Sequence, residues 1–110
     1  MAEQNTGKLV VLVTCGSRAE ARKIAKTVVD ARLAACVNIL GAAIESVYRW
    51  KGEVETASEF LLVMKTTRAR FGKLRDAVLK AHSYDVAEII ALPVADGSAK
   101  YLEWVAASVR

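Results

Sequence analysis

Apolar positions along this chain alternate between two periods, and the changes of period mark its elements. KLVVLVTC, residues 8 to 15, is apolar almost without a break, too short for a helix and typical of a strand covered on both faces. Ser17 followed by Glu20 has the form of a capping box, and Ala21, Ile24, Ala25 and Val28 then fall on one helical face, with Leu33 near the end. ACVNILGAAIESVYRW, 35 to 50, is extended in character, with Gly41 placed for a bend or bulge. Lys51-Gly52 supplies a short turn, and EVETASEFLLVMKTT runs back from it to complete a long hairpin.

Thr66 or Thr67 is placed to cap a second helix whose core face reads Phe71, Leu74, Val78 and Ala81 and which ends near His82. DVAEIIALPV, 85 to 94, reads as a fourth strand, its Pro93 at the end where a missing N–H is tolerated on a sheet edge. After Asp96-Gly97, Ser98 is placed to cap a last helix with Tyr101, Leu102, Val105 and Val109 at helical spacing. The order βαββαβ plus a terminal helix predicts an α+β, ferredoxin-like antiparallel sheet with strands ordered 4-1-3-2 and both main helices on one face. Residues 1–110 form one domain, 1–7 being expected as a disordered tail.

If water covered the face away from the helices, alternate strand residues there would be polar. Instead Val10 and Leu12, Leu61 and Val63, and both sets of the fourth strand are apolar. A wet face of this kind exceeds the apolar patch a soluble monomer carries, so the pattern predicts a homo-oligomer. The hairpin, tipped by Tyr48 and Trp50, is the natural arm to reach a neighbour.

Composition narrows the picture. The chain is 54% hydrophobic, yet no run reaches the roughly 20 apolar residues of a membrane helix. Residues 1–8 lack the pattern of a secretory signal, which makes the cytoplasm the expected compartment. Cys15 and Cys36 form neither a CxxC nor a CxxH pattern, which argues against structural zinc and against a disulfide framework. A net charge of +4 raises the question of nucleic acid, but the cations are interspersed with acids and no recognition motif accompanies them.

LAACVNI, SVYRWKGEVE, Glu59 leading to KTT, HSYDVAE and YLEWV, in this order and spacing, resemble the divalent-cation tolerance (CutA) family over nearly the whole chain. The resemblance implies a ferredoxin-like subunit in a tight homotrimer, with sheets facing the threefold axis and hairpins wrapping neighbours. It implies a link to copper and other divalent cations, in some members bound through Cys and His. The trimer is also similar to the PII signalling proteins, which suggests sensing of a small ligand at clefts between subunits. Ser83 and Ala87 depart from the two prolines of the family segment, Asp85 stands where Glu is common, and Ala81 replaces a second histidine found in some relatives.

The strand order gives a geometric expectation. The end of strand one, the start of strand four and the hairpin all meet at one edge, which makes Cys15, His82 and residues 48 to 55 neighbours. Cys36 belongs at the opposite edge, about 20 Å away. A thiolate and an imidazole could hold copper or zinc there with a third ligand from a carboxylate, Asp85 or Glu88, or from a neighbouring subunit; the commoner roles are a small core hydrophobe for Cys15 and a helix-end residue for His82. Glu88 shares a strand face with Val86 and Ile90, and such a carboxylate needs a cation or several donors, for which Lys65, or Arg49 across an interface, could serve. Tyr48, Trp50, Lys65, Tyr84 and Glu88 are thus the candidates for a ligand cleft or an interface.

No nucleophile elbow, P-loop or paired catalytic motif is present, so no enzymatic activity is expected. The aromatics of an RNA-recognition sheet are missing as well, Phe60 standing alone. Two readings remain: a trimeric protein that binds copper or another divalent metal in a metal-response role, and a PII-like sensor of a small ligand.

Overall fold

The computed structural model describes residues 5–110. Its elements are β1 (Lys8–Cys15), α1 (Arg18–Asp30), β2 (Cys36–Ile39), β3 (Ile44–Trp50), β4 (Glu53–Thr67), α2 (Arg68–Ala81), β5 (Ile89–Pro93) and α3 (Ala99–Ser108). The strand order is β2-β4-β1-β5 and every pairing is antiparallel, with β3 beside the outer half of β4. This is the expected 4-1-3-2 sheet with its second strand divided.

The division falls at residues 40–43, around Gly41, where the bend was expected. Only the second strand breaks; β4 continues for 15 residues and serves both the sheet and the hairpin. At the tip, Lys51 and Gly52 have φ of 51° and 84°. Positive φ at both central residues is the two-residue turn that matches strand twist, and glycine takes the second position without a Cβ penalty.

Leu9, Val11 and Val13 of β1 and Leu62 and Met64 of β4 pack with Ala21, Ile24, Val28, Leu74 and Val78 of the two helices into the core. Helix α1 is capped as expected, the Ser17 hydroxyl accepting from the Glu20 N–H at 3.1 Å. Neither Thr67 nor Ser98 makes a side-chain cap bond, although both hold the N-cap position. Thr66 instead turns inward and donates to the Leu33 carbonyl at 2.6 Å. In α3, Val105 is buried, and Val109 just past its end is buried as well, while Tyr101 stays exposed beside Trp104.

Two expectations need correction. The fourth strand begins at Ile89, not at residue 85: the chain bends at residues 85 and 86, and the segment before the bend is tied down by the Ser83 N–H on Glu20 and the Tyr84 N–H on His82. Residues 5–7 are not a free tail, since Thr6 donates to the Val94 carbonyl through both N–H and hydroxyl and the Gly7 carbonyl accepts from Arg68. The remainder of that tail, 1–4, lies outside the described residues.

On the face away from the helices, Val10 pairs with Leu92 and Lys65, and Leu12 with Ile90 and Val63. Ile90 and Leu92 are 48% and 49% exposed. The subunit leaves this apolar strip uncovered.

Candidate functional site

The segment 82–88 leaves α2 and crosses the end of β1 before β5 begins. His82 anchors it. Its side chain is fully buried, with Nε2 2.7 Å from the Thr14 carbonyl and Nδ1 accepting the Tyr84 N–H at 3.1 Å. These partners select the tautomer with the proton on Nε2, since a carbonyl can only accept and an N–H can only donate.

Glu20 reaches the same segment from α1. Its Oε2 accepts the Ser83 N–H at 2.7 Å and lies 3.6 Å from His82 Nδ1. Burial works to raise this carboxyl, but the Ser83 N–H and hydroxyl, His82 and the Gly16 N–H outweigh it and hold it below its ordinary value. Glu20 thus ties α1 to the crossing segment instead of completing the capping box.

Cys15 lies in the core beside this anchor, fully buried, its thiol donating to the Ser17 carbonyl at 3.5 Å. Burial pushes the thiol up, and the Glu20 and Glu59 carboxylates add to the effect. The structure therefore brings Cys15 and His82 to one edge, as the strand order predicts. Against a metal on this pair, burial raises the thiol and both ring nitrogens are committed to backbone partners. Among the described residues no three His, Cys, Asp or Glu side chains converge on a point where an ion could sit.

Above the anchor, a groove of about 720 Å³ runs between the hairpin and residues 84–88, with Thr14 and Glu59 on its floor. Tyr48 and Trp50 line one side, and Tyr48 stands directly across from Glu55. Tyr84 closes the other side, its ring 4.7 Å from the His82 ring. Burial, reinforced by the nearby Glu59 carboxylate, pushes the Tyr84 hydroxyl up to about 12. The ring passes so close to Gly16 that a Cβ there would stand 3.2 Å from the hydroxyl.

Four of the expected cleft residues, Tyr48, Trp50, Tyr84 and Glu88, meet in this groove. Lys65 does not. It sits six residues along β4 from Glu59, roughly 20 Å away, and donates to the Asn38 side chain. Glu88 is exposed within the subunit and accepts only a long contact from the Thr14 hydroxyl at 3.5 Å, while Arg49 turns back to the Gly52 carbonyl. Glu59, 8% exposed, is the residue the sequence hides. Besides its place in the family pattern, its signal is strand parity: it shares the face of Leu61 and Val63 and is itself buried.

The chain matches the family described as CutA1 divalent ion tolerance protein over residues 9–108. It belongs to the CutA1 family. A Thermus thermophilus relative named divalent-cation tolerance protein CutA is 51% identical over 96 residues, which are 87% of this chain and 92% of the relative. The Homo sapiens protein CutA is 48% identical over 93 residues, and the chloroplastic CutA of Arabidopsis thaliana is 48% identical over 102. The chain spans about half the length of each, 51% and 56%.

Solved CutA structures agree with the fold. The Thermus thermophilus protein superimposes with a TM-score of 0.91 at 48% identity, covering 94% of this chain and 99% of that one. CutA1 from Oryza sativa gives 0.91 at 42% identity, with 97% of each chain covered. No helix among the described residues is long and apolar enough to cross a membrane.

Proposed function

We propose that the chain works as a homotrimer in divalent-cation tolerance, binding copper or another divalent ion in a metal-response role and catalysing no reaction. The observation that carries the reading is the 51% identity, over most of both chains, to a protein named for divalent-cation tolerance. The uncovered strip of Val10, Leu12, Ile90 and Leu92 supports the assembly, since burying it removes an apolar patch from water. A binding role rather than a catalytic one is supported by His82, whose two nitrogens are spent on backbone groups. The cytoplasm is the compartment this reading assumes, and two unpaired cysteines support it. We do not place the ion on Cys15 and His82, for the reasons of geometry and protonation given above.

Light scattering of the purified protein together with copper and zinc calorimetry tests the reading. The expected result is three chains per particle and saturable ion binding that survives His82→Ala in the folded variant. A monomer would overturn the assembly, and flat traces with both ions would overturn metal binding. Binding abolished in folded His82→Ala would return the ion to that pair.

A further inference from the structure

One nitrogen of His82 stands between two partners. The side chain is fully buried and Nε2–H is spent on the Thr14 carbonyl at 2.7 Å, which leaves Nδ1 as the ring atom open to a proton. Nδ1 accepts the Tyr84 N–H at 3.1 Å, and Oε2 of Glu20 lies 3.6 Å from the same atom.

Protonation of Nδ1 makes these two contacts exclusive. An N–H facing another N–H at 3.1 Å is a donor without an acceptor, so the Tyr84 bond is lost. The Glu20 carboxylate has only to close to about 2.8 Å, the length of a charge-assisted bond, to receive the new proton. It has the capacity: Oε2 holds the Ser83 N–H at 2.7 Å, and a carboxylate accepts about four bonds.

The surroundings oppose the cost of burying a cation there. From α1 the ring meets the Glu20 carboxylate. From β1 it meets Cys15, whose thiol burial raises, and from its own segment Tyr84, whose hydroxyl is raised to about 12. The Glu59 carboxylate of β4 acts on both Cys15 and Tyr84. On its own helix the last cation, Lys80, is exposed, and His82 itself caps the C-terminus of α2, where the helix dipole favours positive charge. Glu20 is held below its ordinary 4.5, so it remains ionised between about pH 5 and 8, where imidazoles commonly titrate.

We propose that His82 is a pH-sensitive latch: on protonation Nδ1 releases the Tyr84 N–H and donates to Glu20, so that the crossing segment is held to α1 at His82 and Ser83 while its backbone at Tyr84 comes free. The step places one proton from water on Nδ1 and breaks no covalent bond. It uses groups of a single chain and no metal, and so stands apart from the metal reading. Since Tyr84 forms one wall of the groove beside the hairpin, the latch sets how firmly that wall is held.

The test is an NMR titration of the full-length protein in its native assembly from pH 8 to 5. The chain has one histidine, so its ring nitrogens give an unambiguous signal. The expected result is a neutral ring with its proton on Nε2 at pH 8 and uptake at Nδ1 as the pH falls. The Tyr84 amide should shift with the same midpoint and lose about tenfold of its exchange protection, the worth of one hydrogen bond, while the Val11 amide keeps its own. In Glu20→Gln both signals should move together to lower pH, which a merely structural role for Glu20 would not produce. A ring that stays neutral to pH 5, a Tyr84 amide indifferent to the ring's titration, or a midpoint unchanged in Glu20→Gln would each overturn the latch. If Glu20→Gln does not fold, the shared midpoint in the wild type decides alone.

Discussion

His82 and Thr14, 68 positions apart in sequence, are joined by one bond in which the imidazole Nε2–H donates to the Thr14 carbonyl at 2.7 Å. The same ring accepts the Tyr84 N–H, so one side chain fixes the end of β1, the end of α2 and the groove wall. Its place in the family segment is explained by this work of fastening.

His82→Ala leaves a buried carbonyl and an N–H without partners and opens a space where the ring stood. It should destabilise the protein by about 2–6 kcal/mol, at about 1–3 kcal/mol for each of the two polar groups left unsatisfied. Denaturant melts of wild type and variant at equal concentration measure this. A change below about 0.5 kcal/mol would show that the ring is not a structural fastening.

Glu20 makes acid stability predictable in sign. Its folded value lies below the ordinary 4.5, so the stability it contributes is complete above 4.5 and is lost as the pH falls through the lower folded value. Melting temperatures followed downward from pH 6 should drop more steeply for wild type than for Glu20→Gln. Parallel curves would refute the assignment.

Two hydroxyls behave in the opposite sense at high pH. Tyr84 is raised to about 12 by burial and the nearby Glu59 carboxylate, and Tyr101 to about 12 by its bond with the Cys36 thiol and burial. A raised folded value means stability present below the ordinary 10 and lost as the pH climbs through 12. Ultraviolet titration should show two tyrosines per chain that ionise only at high pH, one removed by Tyr84→Phe and one by Tyr101→Phe. Ionisation of all three near pH 10 would contradict the contacts.

The uncovered strip yields a test of assembly that leaves the core intact. Ile90 lies opposite Leu12 on the face away from the helices, so Ile90→Glu adds a charge without disturbing core packing. The variant should keep its secondary structure by circular dichroism and fall to lower mass by light scattering. An unchanged mass would mean that this face is not the one buried between copies.

The core was legible because its signals are periodic. Val11 and Val13 alternate, Ile24 and Val28 recur at helical spacing, and Lys51-Gly52 marks its turn by composition alone. Residues 85–88 read as strand because they run straight into the apolar stretch that follows; the chain bends at 85 and 86 instead, just after the Ser83 N–H is taken by Glu20, a contact 63 positions away that no window sees. The groove was half legible for the same reason. Tyr48, Trp50, Tyr84 and Glu88 announce themselves as aromatics or a misplaced charge, whereas Glu59 becomes notable only once Tyr84 folds over it, and Lys65 drops out once β4 is seen to carry it to the far end of the sheet.

That strand sets the mechanics of the hairpin arm. Since β4 runs unbroken from the tip to Thr67 while its partner is interrupted between Ile39 and Ile44, the arm is a beam clamped along one edge and slit along the other. Such a beam resists swinging but yields to torsion about β4. A load at the hairpin tip would act on it as torque, delivered along one continuous strand to the root of α2.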